Sequence, residues 1–227
     1  MCHASVICVS SLCWRIPSLL LCLNLVMPSN FRAAIEDLIR REAKPVEKYG
    51  HQPRLYALTR TIGRDLAYDD DVVFAAAWLH DLGVFVGHRP EDPTELAKWD
   101  HVRYACERAP QILLDAEFPA EKIPAVLAAI REHQPHNNPT SIEATILRDA
   151  DILEQFGGIG ILRTVCKVGR DTRYAIFSDA VTTLKKSLDT LPAKIRLENT
   201  KRLAEPRIAA LRNFLEAVES ESAGALY

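Results

Sequence analysis

The sequence has little glycine, few aromatic residues, no excess charge of one sign and no apolar run long enough to cross a membrane. Nine glycines in 227 residues leave little of the turn chemistry that β-rich chains use, and helix-forming residues are frequent. Aromatic residues make up 7% of the chain, too few for a base-stacking platform. A formal net charge of -2 argues against binding driven by phosphate neutralisation, so nucleic acid is not an expected partner. Of six cysteines, Cys2, Cys8, Cys13 and Cys22 precede the body, which keeps only Cys106 and Cys166. Those two form neither a disulfide framework nor a C-x-x-C pair, so the body has the character of a cytoplasmic protein.

What is present is 48% hydrophobic and 26% charged, the balance of an ordinary globular chain with one sizeable core. Residues 1–27 differ from the rest. Their apolar stretch Ile16–Val26 follows Arg15, is too short for a spanning helix, and lacks an A-x-A-like cleavage site. They are expected to be an unstructured extension or mis-assigned start, with a targeting segment as the rival. The body, residues 28–220, is expected to be a single helical domain, followed by a tail at 221–227.

Apolar residues recur at helical spacing throughout the body. Phe31, Ile35, Leu38 and Ile39 form one stripe, ended by Pro45. His51, Leu55, Leu58 and Ile62 form a second, over a helix from about 51 to 66. Asp69, Asp70 and Asp71 supply a cap and first-turn acids for a third helix, with Val73, Ala76, Ala77 and His80 on one face. A loop with Gly87, Pro90 and Pro93 is expected over 84–98, and a helix from Asp100 that Pro110 kinks or shortens. Further helices are expected over 120–133 and 142–156, the latter ended by Gly157, Gly158 and Gly160. Two more follow from Tyr174 to Ser220, broken near Pro192. There is no repeat and no β-type alternation, so the expected fold is all-α.

The apolar segment Ala75–Leu79 ends in His80-Asp81, then Leu82-Gly83. Taking both polar side chains out of water is costly unless something binds them, and imidazole and carboxylate both ligate divalent cations. Other histidines also interrupt or close apolar stripes. His51, His101 and His133 do so, His136 follows on a loop, and Asp149 and Asp151 sit in the helix 142–156. As packing residues each would need its own partner, whereas one metal satisfies several together.

The order His51, His80-Asp81, Asp151 on successive helices resembles the HD-domain superfamily of metal-dependent phosphohydrolases. Three local matches carry the resemblance: His51-Gln52-Pro53-Arg54, the segment Asp70–Gly83, and Ala150-Asp151-Ile152-Leu153. The tail, with Leu184–Leu188, Ala204–Arg207 and Phe214-Leu215, is similar to a soluble bacterial branch, some members of which act on nucleotides. The likeness spans about residues 30 to 220. It implies a helical bundle with His51, His80, Asp81 and Asp151 holding a divalent ion (Mn, Mg or Fe) in the core. It implies Asp81 and His101 as catalytic residues, and Arg54, His101 and His133 as contacts for a small phosphate substrate. Asp149 is the rival to Asp151, otherwise expected behind the ligands, orienting a histidine. Two departures stand out: Val84 where many relatives carry Lys, and His133-Gln134 where two-metal relatives have adjacent histidines. They leave open whether one or two metals bind.

The implied activity is hydrolysis of a phosphate ester, a nucleotide above all, by metal-activated water. Hydration or hydrolysis of a nitrile or cyanamide is the alternative on the same scaffold, and a non-catalytic metal or ligand sensor a third reading. No membrane association is expected; a homodimer is compatible with the sequence, which does not fix the oligomeric state.

Overall fold

The computed structural model describes residues 30–226, and the expectations for residues 1–27 lie outside them. Among the described residues there are ten α-helices and no strand. They are α1 (Phe31–Glu42), α2 (His51–Ile62), α3 (Asp70–Leu79), α4 (Pro93–Ala97), α5 (His101–Asp115), α6 (Ile123–Glu132), α7 (Ile142–Leu153), α8 (Gly157–Val165), α9 (Phe177–Thr190) and α10 (Glu198–Glu221). The fold is all-α.

α3 is the centre. Val72 through Leu79 are all buried, as a helix apolar on every side must be. α1, α2, α6 and α7 pack around it, and α7 is itself buried on almost every side. Leu55 and Ile62 of α2, Val126 and Ile130 of α6, and Ile146 and Leu153 of α7 are fully buried. Removing such a side chain to Ala costs roughly 2–5 kcal/mol. α5 packs on α6 and on the turn after α3, while α10 packs on α7, α8 and α9.

Short polar residues set the helix starts. Asp69 accepts from the amides of Asp71 and Val72, Asp100 from Arg103, and Ser141 from Ala144, offsetting donors that a helix end leaves unpaired. Arg32 ties α1 to its neighbours, donating to Tyr56 Oη at 2.6 Å, Asp70 Oδ2 at 2.9 Å and Asp71 Oδ1 at 2.6 Å.

Three local expectations are corrected. Pro110 does not shorten α5, which runs through it to Asp115; the proline sits half-buried in an otherwise apolar-striped surface helix. Residues 84–98 are not loop throughout, because Asp92 caps the short helix α4, with Pro93 in its first turn. The glycines after α7 do more than stop it: Gly157 turns with φ +67° and opens α8. No helix among the described residues is long and apolar enough to cross a membrane.

Candidate metal centre

Helix ends build the centre. His51 is the first residue of α2, His80 caps the C-terminus of α3, and Asp81 follows it. His101 opens α5, His133 caps α6, and Asp151 lies in the last turn of α7. Helix ends thus bring these side chains from five helices and one turn to a common point.

The hydrogen bonds of the rings fix their tautomers. His80 Nδ1 lies 3.0 Å from the Ala77 carbonyl and His133 Nδ1 2.6 Å from that of Ile130. A carbonyl only accepts, so both Nδ1 atoms carry the proton. His51 Nδ1 donates in the same way to Glu154 Oε2 at 3.2 Å. Each Nε2 is then a lone pair turned to the centre. His51 Nε2 and His80 Nε2 face each other at 3.4 Å. With the Nδ1 proton of each ring committed to its own acceptor, the two Nε2 atoms are the positions left to face the centre. Burial pushes the His51 imidazole below its ordinary pKa, Glu154 opposing only in part, so His51 is neutral near pH 7. Two converging lone pairs are what a cation satisfies.

Asp81 supplies the charge. Its Oδ2 is 3.7 Å from His51 Nε2 and 3.6 Å from His80 Nε2, and its Oδ1 is 4.0 Å from His101 Nε2. Burial opposes ionisation of Asp81, but the positive charge the surrounding histidines carry when protonated, His80 foremost, holds it below the usual carboxylate range. The ligand atoms form two groups, each within 4.8 Å: His51, His80 and Asp81, and then Asp81, His101 and His133. Asp81 belongs to both. The chemistry of this donor set, neutral imidazole nitrogens with a shared carboxylate, fits a borderline divalent metal.

Asp151 Oδ1 lies 3.5 Å from His51 Nε2, at the edge of the first group. His133 is buried, with its ring centroid 4.8 Å from that of His80; desolvation lowers its pKa, and His80 adds to the effect. His101 is more open, with Gln134 Nε2 at 3.4 Å from its Nε2. His136 is exposed on the loop after α6 and takes no part.

One expected role is corrected, that of Asp149. Asp149 orients no histidine. Its buried carboxylate accepts from the backbone amides of Arg196 at 3.1 Å and Leu197 at 2.8 Å, so it anchors the start of α10. Desolvation nevertheless leaves its carboxyl above the ordinary value, the two amides offsetting only part of the cost. Arg54 is partly exposed and turned to a buried acid. Its guanidinium lies against Glu154, with contacts of 3.2 and 3.4 Å.

Glu154, which the sequence did not single out, holds the histidine instead. Its side chain is 2% exposed and meets His51, Arg54 and Arg163, the last at 3.1 Å. Burial alone would raise its carboxyl, but the His51, Arg54 and Arg163 contacts prevail and bring it down to about 2. The available signal was spacing: Glu154 follows Asp151 by three residues, one helical turn.

Comparison with known proteins agrees with this geometry. Residues 49–155, which contain every ligand candidate and Glu154, match the family model of the HD domain. No curated protein matches the chain. Among solved structures, a protein from Lactobacillus plantarum superimposes with a TM-score of 0.66 at 20% identity, covering 85% of this chain and 97% of that one. A predicted HD superfamily hydrolase from an uncultured Thermotogales bacterium gives 0.57 at 23% identity, over 83% and 91%. YpgQ of Bacillus subtilis, solved in complex with ADP, gives 0.63 at 21% identity, over 86% and 94%. Residues 49–155 are an HD domain.

Proposed function

We propose that this protein is a metal-dependent hydrolase of small phosphate esters, with nucleotides as its preferred substrates. The observation that carries the proposal is the facing pair of Nε2 atoms, His51 and His80, 3.4 Å apart, with each ring's Nδ1 already turned to an acceptor. His51, His80 and Asp81, with Asp151 beside them, would hold a divalent ion, and His101 and His133 share Asp81 on its other side. Such an ion supplies Lewis acidity and lowers the pKa of its bound water from near 16 toward about 7.

The chain's own groups then divide the work. Glu154, braced by Arg54 and Arg163, keeps the proton on His51 Nδ1 and so keeps its Nε2 a donor toward the metal. Asp81 offers one oxygen to each group of histidines. His101, the more open ring, is placed to take a proton from water near Asp81 Oδ1 or to give one to a leaving oxygen. The ADP complex of the Bacillus subtilis relative, which shares this fold, supports a nucleotide as substrate.

The test is turnover. Purified protein supplied with Mn²⁺, Mg²⁺ or Fe²⁺ is assayed against a panel of phosphate esters and nucleotides, with cyanamide and a nitrile alongside. Metal-dependent release of phosphate or pyrophosphate, abolished by chelation, is the expected result. Turnover of cyanamide or nitrile with no phosphate ester hydrolysed would overturn it.

A further inference from the structure

The metal centre takes up one end of α2, and a second polar feature lies at the other. α2 runs from His51 to Ile62, so its ends are about 18 Å apart along the axis. At the Ile62 end a cavity of about 550 Å³ opens, lined by Arg60, Thr61, Gly63, Arg64, Leu66 and Tyr68 among others. None of these belongs to the ligand cluster. The volume is that of a small-molecule site.

The wall of this cavity is tightly built. Gly63 lies so close to the Tyr68 ring that a Cβ there would be 2.4 Å from Tyr68 Cε1. The far end of the ring is tied to the start of α3, with Tyr68 Oη donating to Asp70 Oδ1 at 3.3 Å. The Thr61 hydroxyl donates to the Ala57 carbonyl at 3.0 Å, so its proton is spent. The Arg60 and Arg64 guanidiniums remain as donors. Both residues are exposed, and among the described residues neither guanidinium makes a hydrogen bond or ion pair. Asp65, the acid of the same turn, does not line the cavity.

Basic residues near a helix C-terminus ordinarily answer its open carbonyls. Here other groups do that. The Thr59 carbonyl accepts from the Gly63 amide at 2.8 Å, the Gly63 carbonyl from Leu66 at 2.9 Å, and the Ile62 carbonyl from Asn199 Nδ2 at 2.9 Å. Asn199 also accepts from Arg202, which brings a third guanidinium to this end of α2. Positive charge thus gathers around a concave surface with no carboxylate of the chain in contact with Arg60 or Arg64.

We infer that this cavity binds a tetrahedral oxyanion of the phosphate type, either free or as the head group of a small molecule lying along Leu66 and Tyr68. Each guanidinium is a planar fork matched to two oxygens. One carboxylate fills one fork, whereas a tetrahedral oxyanion has oxygens for both. The site is separate from the metal centre and stands or falls independently of the hydrolase reading.

Two-dimensional NMR on the full chain loaded with Mg²⁺ tests this at the site itself, through the arginine Nε–Hε signals and the amides of Gly63 and Tyr68. Inorganic phosphate and sulfate should each shift these signals along a saturating curve, and chloride at matched ionic strength should not. Arg60→Gln and Arg64→Gln should each weaken phosphate binding about tenfold, equivalent to about 1.4 kcal/mol. Arg103→Gln, in the exposed pair with Glu107 on α5, should leave it unchanged. Phenylphosphonate, which has no ester bond to hydrolyse, separates the two sources. Tighter binding than inorganic phosphate assigns the site to a small molecule with that head group, and equal binding assigns it to the free anion. Shifts that chloride reproduces, affinity undiminished in both Gln variants, or acetate binding as tightly as phosphate overturns the site. Thermal melts identify a Gln variant that fails to fold; the Lys variant, which keeps the charge without the fork, then replaces it and should still bind phosphate more weakly than wild type.

Discussion

His51 Nδ1 and Glu154 Oε2 lie 3.2 Å apart in a region that water does not reach, with Arg54 and Arg163 on the same carboxylate. The pair links the first residue of α2 to the cap of α7, and it fixes which nitrogen of His51 faces the centre. Glu154→Ala removes the acceptor and frees the ring to change tautomer. Loss of such a support typically costs about 10–100-fold in metal affinity. Competition with a chromogenic chelator should show that loss while far-UV circular dichroism stays that of a helical protein. An unchanged affinity would mean that Glu154 serves only the arginines.

The centre was legible in the sequence to the extent that apolar stripes pointed at it. His51, His80 and His133 each close a stripe, and a stripe that ends in a histidine delivers that ring to the core. The sequence could not rank Asp149 against Asp151 by facing alone; the structure places Asp151 beside His51 and spends Asp149 on the amides of Arg196 and Leu197. That bond joins residues far apart in sequence, which no local pattern reports. Glu154 was not singled out in the sequence. Its burial depends on α8, and α8 was hidden because Gly157, Gly158 and Gly160 read as punctuation. In fact Gly160 is required inside the helix, where a Cβ would lie 2.3 Å from the Gln155 carbonyl. With α8 unseen, Arg163 had no address.

Asp81 is the ligand common to both groups, so variants separate them. Asp81→Ala should lose all bound metal, and His80→Ala should do the same by opening the first group. His133→Ala removes a ligand of the second group alone and should keep the ion held by His51, His80 and Asp81. Elemental analysis of protein dialysed against Mn²⁺ measures the difference. Equal metal loss in the Asp81 and His133 variants would show that the two groups act as one site.

Glu154 also predicts how stability falls in acid. Its carboxyl is brought from 4.5 to about 2 in the folded state, burial working against that shift and the His51, Arg54 and Arg163 contacts producing it. A carboxyl depressed by folding stabilises the protein fully above pH 4.5, and that contribution disappears as pH falls toward 2. The drop corresponds to roughly 3 kcal/mol. Urea unfolding of chelated protein at several pH values should show a decline through this window that is shallower in Glu154→Gln. A parallel decline in the variant would assign the acid sensitivity to other carboxylates.

Gly83 makes the site sensitive to a single added methyl group. The turn after His80-Asp81 packs so closely on the start of α5 that a Cβ at position 83 would lie 2.7 Å from His101 Cα and from its carbonyl oxygen. The Gly83 carbonyl also accepts from Trp99 Nε1 at 2.8 Å, which holds the approach to α5 in place. Backbone cannot yield as a flexible side chain can, so Gly83→Ala must push α5 and the turn apart. Overpacking of this kind costs roughly 1–3 kcal/mol. The displaced residue is His101, whose distance to Asp81 Oδ1 is already 4.0 Å. Gly83→Ala should therefore lower the melting temperature and cut kcat while retaining the metal of His51, His80 and Asp81. A variant with full activity and an unshifted melt would show that α5 is not held by this contact.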